Sequence, residues 1–325
     1  MVVSTEKKLV ATDKGTTAAV SKDTIQVEGE RRGRYTRRPT PIALLTPLKL
    51  KLLGFLVECR ILSLPQLASL GQLSQKATRR QMRALFDAGL VEVVAVSRAA
   101  LAPEDAPNSE KLLFGTAPNF YTPTAAAVRV LVDSGTLARH YLKRSAPFYG
   151  PKNGLFLRHE LLVRDVRVWL EQLAFAGQGR TTRWEDGVDA VLDLQELGVV
   201  RPDSWFVFEM QRAERLAVLV GLVEVDRGTE RGKSRWSEKL TRYHALFASE
   251  RLQELTGYVK ARILVFCPSA SRRDLLASLI EELAGSEELA ARFWIVEMSA
   301  LSTSSLSSPI WRVAGQTDLI PLLKT

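Results

Sequence analysis

Cysteine and histidine are scarce in this 325-residue chain, with two of the first and three of the second. Cys59 and Cys267 lie far apart, each inside an apolar stretch, so neither a disulfide framework nor a zinc-ligand spacing is available. They read as small core residues in a reducing, cytoplasmic setting. Three scattered histidines exclude the histidine metal cluster that a rolling-circle relaxase sets beside its nucleophilic tyrosine. No apolar run approaches the ~20 residues that cross a bilayer, and the N-terminal MVVSTEKKLVATDKGTT lacks the apolar core of a secretory signal, so no membrane partner is expected. A G-x-x-x-x-G-K-[ST] loop is missing, which removes the ATPase reading. No G-x-S-x-G elbow offers a serine nucleophile either.

What is present is ordinary globular composition, 46% hydrophobic and 25% charged, with an excess of cations that leaves a net charge of +9. Lys and Arg release condensed counterions from nucleic acid, so such a balance favours a polyanionic partner. A solubilising surface charge is the plain alternative, and placement decides between them. Residues 1–40 are polar and aperiodic and read as a disordered basic arm. The arm ends in ERRGRYTRRPT, where Arg31, Arg32, Arg34, Arg37 and Arg38 surround Tyr35, a run suited to a phosphate backbone or a minor groove.

From Thr46 the pattern turns helical. TPLKLKLLGFLVECRIL offers Thr46 as N-cap and Pro47 at the first helical position. SLPQLASLG repeats the signature, with Ser63 as cap and Gly71 as terminator. SQKATRRQMRALFDAGLVEVV has Ser74 as cap, an apolar stripe of Met82, Leu85 and Phe86, an end at Gly89, and then a strand. KLLFGTAPNFYTPT supplies more ribbon. Three helices and a β-ribbon are the layout of a winged helix-turn-helix over residues 41–145. Its third helix carries Gln75, Lys76, Thr78, Arg79, Arg80 and Arg83, residue types that meet phosphates and base edges in a major groove. A winged helix can also bind only protein.

The Pro/Gly-rich SAPFYGPKNG marks a boundary. The second part, residues 154–300, opens with the amphipathic helix LFLRHELLVRDVRVWLEQLAFAG and continues with strands, a helix, a strand, a helix and a strand, a mixed α/β sheet. In RPDSWFVFEMQRAERLAVLVGLVEVDRGTE two apolar runs flank a charged break. The chain should fold back near Ala213, setting Asp203 almost opposite Glu224, with Glu224 and Asp226 on one face. All three carboxylates are thereby expected to converge at one sheet end. In RWSEKLTRYHALFASERLQEL the residues Trp236, Lys239, Leu240, Tyr243 and Phe247 form one helical stripe, with a lysine between aromatics. A Ser-rich segment and an apolar tail occupy residues 301–325.

The PD…ExD spacing resembles the PD-(D/E)xK restriction-endonuclease-like fold. More narrowly, RPDSWFVFE…LVEVDRGTE…WSEKLTRYHAL, preceded by RHELLVRDVRVWL and a winged helix, resembles the plasmid replication-relaxation family over roughly residues 42–270. The resemblance implies binding to double-stranded DNA at or near an origin, as an accessory in plasmid replication or mobilisation alongside a relaxase or a replication protein. From the nuclease fold it implies Mg²⁺ on Asp203 and Glu224. Asp226 stands where that motif needs lysine. A third carboxylate can ligate a hard cation but cannot stabilise the charge developing on phosphorus. Lys239 is the candidate migrated lysine, and Glu160 or Asp165 could add a ligand. His159 and His244 are read as hydrogen-bonded packing residues. Two readings stay open for the carboxylates: a Mg²⁺-dependent endonuclease using Asp203, Glu224, Asp226 and Lys239, or an inert nuclease-like scaffold that needs no cofactor to bind DNA. A protein-binding assembly factor, with a homodimer made through the winged helix, is a third.

Overall fold

The computed structural model describes residues 36–38, 45–94, 119–139, 142, 154–212, 215–228 and 233–323. Thr46 accepts a hydrogen bond from the Lys49 N–H and Pro47 follows it, starting helix α1 (Pro47–Cys59). After the short strand β1 (Leu62–Ser63), Ser63 and Gln66 close a capping box on α2 (Leu64–Gly71). The stop differs from expectation: Gln72, not Gly71, takes the left-handed conformation at φ 53°. Gly71 serves close packing instead, since a Cβ there would meet Leu52 Cδ2 at 2.9 Å. Ser74 caps α3 (Gln75–Asp87), which buries Met82, Leu85 and Phe86. Gly89 then turns the chain at φ 75° into β2 (Val91–Val94). Strand β3 (Phe120–Pro123) lies between β1 and β2, antiparallel to both, and α4 (Ala125–Asp133) follows under a Thr124 cap.

Helix α5 (Gly154–Phe175) leads into β4 (Arg180–Asp186), the small pair β5 (Leu192–Asp193) and β6 (Val199–Val200), and the hairpin β7 (Ser204–Arg212) and β8 (Arg215–Val225). The stretch read as one helix from Arg235 is two, α6 (Lys233–Ala248) and α7 (Arg251–Thr256). Then come β9 (Arg262–Cys267), α8 (Ala270–Leu283), α9 (Glu287–Ala290) and β10 (Phe293–Glu297). The tail adds β11 (Trp311–Val313) and β12 (Leu319–Ile320) to the sheet. Seven strands run in the order β12-β11-β10-β9-β8-β7-β4, with β8, β9 and β10 mutually parallel and the rest antiparallel. The fold class is mixed α/β. No helix among the described residues is long and apolar enough to cross a membrane.

Alternation along β7 and β8 feeds two cores. Phe206, Phe208, Leu219 and Val223 pack with Val166, Trp169 and Leu170 of α5. Trp205, Val207, Val220 and Leu222 pack with Trp236, Leu240 and Tyr243 of α6 and Leu276 and Ile280 of α8. Gly221 lies opposite Phe206, and a Cβ there would meet the Phe206 ring at 2.4 Å.

The helical part and the large sheet belong to one compact unit spanning Arg37–Thr325, and α5 joins them. Arg164, 2% exposed, donates to the Cys59 carbonyl at 2.8 Å and pairs with Glu160 at 2.7 Å and Asp186 at 3.2 Å. Gln66 donates to the Leu161 carbonyl and to Asp165, and Arg60 pairs with Asp189 at 2.9 Å. Buried charges persist only when paired and hydrogen-bonded, and these pairs hold the helical part against the elements of the large sheet.

Candidate functional site

The hairpin register sets Asp203 and Glu224 across from each other: Ser204 pairs with Val223, and the Asp203 N–H donates to the Val223 carbonyl at 2.9 Å. The fold-back expected near Ala213 produces this register, although Ala213 itself lies outside the described residues. Glu224 is 3% exposed on its side chain and has a partner on each oxygen. Lys239 Nζ donates to Oε2 at 2.7 Å, and the Tyr243 hydroxyl donates to Oε1 at 2.6 Å. Both come from α6, where a spacing of four residues puts them one turn apart on one face. The odd lysine of the stripe is the counter-ion of a buried carboxylate, lying 5.2 Å from the Trp236 ring centroid.

Asp203 is likewise committed. Its Oδ1 contacts His159 Nε2 at 2.9 Å and its Oδ2 accepts from the Val225 N–H at 2.7 Å. Burial pushes the Asp203 carboxyl up, but the hydrogen bond and charge of His159, then Lys239 and the Val225 N–H, hold it below the ordinary carboxylate value. Burial pushes His159 down, and Asp203 more than compensates, raising the imidazole above its ordinary value. Glu224 is raised by burial and by Asp203, with Lys239 pulling against them. Burial and the neighbouring Glu224 push the Tyr243 hydroxyl well up.

Asp226 does not join this group, contrary to the expected convergence. β8 ends at Val225, and Asp226 turns into its own loop, accepting from the Gly228 N–H at 2.7 Å. Arg272, in the first turn of α8, grips it with two bonds of 2.8 Å. The parallel pairing of β9 with β8 carries Arg272 there, since the chain leaving β9 must rise beside the end of β8. The other two proposed ligands are also elsewhere: Glu160 pairs with Arg164, and Asp165 accepts from Gln66. Among the described residues no group of three or more His, Cys, Asp or Glu side chains is arranged to hold a metal ion. Lys239 and His159 stand against Glu224 and Asp203 where a cation would sit, and Arg272 holds Asp226, so as placed these side chains are not arranged as the Mg²⁺ site that the nuclease resemblance implies.

The surface of α3 is a different setting. Gln75, Lys76, Arg79 and Arg80 are exposed, while Met82, Leu85 and Phe86 are buried. Thr78 is not on that face: it is fully buried and donates to the Ser74 carbonyl at 3.0 Å, as a helical threonine does when its hydroxyl has no access to water. Arg83 is tied to Asp87 at 2.8 Å. Arg37 acts as a clasp: its guanidinium donates to the carbonyls of Phe86 and Val91, pairs with Glu92, and lies 5.0 Å from the Phe86 ring centroid. The Arg38 N–H donates to Asp87 at 2.8 Å. Arg31, Arg32 and Arg34 lie outside the described residues.

His159 is hydrogen-bonded, as the sequence reading has it, but its partner Asp203 was not foreseen, nor were Tyr243 and Arg272 as partners. The only sequence signal for Tyr243 was its four-residue spacing from Lys239. Nothing local to His159 or Arg272 reports that α5 and α8 meet the hairpin end.

Fold and site thus define a mixed α/β protein that pairs an exposed cationic helix with a buried acid–base cluster. The sequence matches the replication-relaxation family over residues 53–261, close to two thirds of its length, and the chain belongs to that family. Membership points to a role in plasmid replication or mobilisation. Neither the curated proteins nor the solved structures contain a match to it.

Proposed function

We propose that this chain is a cytoplasmic DNA-binding accessory protein of a plasmid or other mobile element, and that its α/β part is a nuclease-like scaffold without cleavage activity. Helices α1 to α3 with the sheet of β1, β3 and β2 are read as a winged helix-turn-helix, with α3 as reading helix. Residues 154–300 are read as a PD-(D/E)xK-like domain. The observation that carries the reading is the sidedness of α3: Lys76, Arg79 and Arg80 exposed, Met82, Leu85 and Phe86 buried. Such a helix can enter a major groove without disturbing its own core.

Double-stranded DNA is the partner, bound without a cofactor, and a relaxase or replication protein is the second partner this role calls for. Fluorescence anisotropy on random and origin-derived duplexes at several salt concentrations tests it. Binding with a steep salt dependence supports the reading. Absence of binding to any duplex favours the protein-assembly alternative, in which the three-helix part makes a homodimer contact.

One observation favours the rival enzyme: Lys239 sits 2.7 Å from Glu224, beside Asp203. A Mg²⁺-dependent endonuclease would use Asp203 and Glu224 with Lys239, and the third carboxylate, Asp226, would have to leave Arg272. Incubation with supercoiled, linear and single-stranded DNA plus Mg²⁺ or Mn²⁺ decides it. Cleavage that Asp203→Ala abolishes establishes the enzyme.

A further inference from the structure

Rows of residues four apart run along α3, and burial tells them apart. Thr78, Met82 and Phe86 form the row turned into the core. Lys76, Arg80 and Ala84 lie two positions round, just over half a turn at about 3.6 residues per turn, and all three are exposed. Between these rows, on one side, Ala77, Gln81 and Leu85 pass from half-buried to buried. On the other side Gln75 and Arg79 are exposed, but their row closes on itself at Arg83, which pairs with Asp87 at 2.8 Å. The Arg38 N–H donates to the same carboxylate. The ridge of Lys76, Arg80 and Ala84 is therefore the part of α3 that points straight away from its own core. Among the described residues neither Lys76 nor Arg80 has an ion-pair partner.

A helix in the major groove meets base edges on the floor and phosphates at the walls. The ridge opposite the core meets the floor, and the row beside it meets a wall. Lysine and arginine carry donors only. In the major groove an edge made of acceptors alone belongs to guanine, through N7 and O6; adenine and cytosine each present an amino donor, and thymine a methyl group. Resting on the DNA-binding reading above, we infer that Lys76 and Arg80 are the base-reading residues of α3 and that each takes a guanine, while Arg79 on the flanking row holds a phosphate. Four residues rise about 6 Å along a helix, and successive base pairs are about 3.4 Å apart. The two guanines therefore lie about two base-pair steps apart. Ala84, the third member of the ridge, has nothing beyond its Cβ to hold the helix off the floor, so the two long side chains can reach it. Exposed charge alone would favour any duplex; the placement of that charge selects guanine-bearing sites.

The full-length protein is titrated, at one salt concentration, with three duplexes of equal length between identical flanks. One alternates G and C, which sets guanines two steps apart on each strand, and one alternates A and T. The third is the G and C duplex built with 7-deazaguanine, in which carbon replaces N7 while phosphates and base pairing are unchanged. The G and C duplex should bind more tightly than the A and T duplex by roughly 25-fold, about fivefold for each reading residue at the low end of a bidentate contact. The 7-deazaguanine duplex should lose most of that preference. Arg80→Ala and Lys76→Ala should each lower the ratio of the two affinities by roughly fivefold. Arg79→Ala should weaken both duplexes by a similar factor and leave the ratio in place, because a phosphate contact carries no sequence information. Equal affinity for the alternating duplexes overturns the inference, as does a preference that 7-deazaguanine leaves intact, or one that Arg79→Ala removes and Arg80→Ala does not. Tight binding of all three alike sinks the assignment of guanine readers and leaves the DNA-binding reading standing. Binding of none sinks both.

Discussion

On the outer face of α3, Lys76, Arg79 and Arg80 stand in water, whereas at the end of β7 and β8 the charges of Glu224, Lys239, Asp203 and His159 are drawn into protein. Hydrated surface cations cost the fold almost nothing and contribute almost nothing to it. On the DNA-binding reading proposed above, they remain available to phosphates, which can replace their water. The inner charges have lost much of their hydration, so each must be answered by a fixed partner. One region is free to bind because it is not needed for folding. The other is shaped by folding first.

Breaking an inner pair should therefore have the largest effect. Lys239→Met leaves Glu224 buried with only the Tyr243 hydroxyl for support, and should cost about 3 kcal/mol in urea unfolding. Glu224→Gln combined with Lys239→Met should recover much of that loss, because no unpaired charge is left. Equal destabilisation by the single and double variants would show that the pair is not the cause. Next in size is Gly221→Ala. Its new Cβ would sit 2.4 Å from the Phe206 ring, and the resulting overpacking should cost about 1–3 kcal/mol, read as a lowered thermal midpoint with unchanged DNA affinity.

Much of this contrast could be read from the residues alone. The caps Thr46, Ser63 and Ser74 announce three helices because each fixes its own first turn locally. The opposition of Asp203 and Glu224 followed from the hairpin, since pairing two strands about one turn fixes every register at once. Lys239 was anticipated beside the acids and is found on Glu224; what failed were other contacts between elements distant in sequence. Asp226 was expected beside Glu224 by strand parity, but parity stops where the strand stops, and Arg272, 46 residues later, decides where the side chain goes. Thr78 looked like a reader by its position in a basic run, yet the helix turns it into the core, where it is fully buried. The joint of Arg164 with Asp186 and the Cys59 carbonyl was likewise illegible, since nothing in either segment names the other.

A smaller effect separates the members of the inner cluster by pH. His159 has its folded value raised above the ordinary 6.5, so its contribution to stability is fully present below 6.5 and is lost as pH rises through the raised value. Asp203 is lowered from 3.8, so its contribution is present above 3.8 and lost as pH falls through the lowered value. Unfolding free energy should thus decline on the alkaline side of 6.5, as pH passes through the raised value of His159. His159→Gln keeps a donor for Asp203 but cannot titrate, and should flatten that limb while leaving the acid limb in place. An unchanged alkaline limb in the variant assigns the decline to another group.

The smallest effect on stability should come from the outer region, and there a null result is the informative one. Lys76→Ala, Arg79→Ala and Arg80→Ala together remove three exposed charges that make no core contact, so the fold should keep its stability within about 0.5 kcal/mol for each substitution. Duplex affinity should nevertheless fall, and the slope of log affinity against log salt should flatten by about 0.9 for each phosphate no longer neutralised. Weak binding with the slope intact would mean that α3 meets DNA through something other than phosphates. A loss of stability as large as that of Lys239→Met would mean that these cations support the fold, and the division between a hydrated binding face and a committed inner cluster would have to be abandoned.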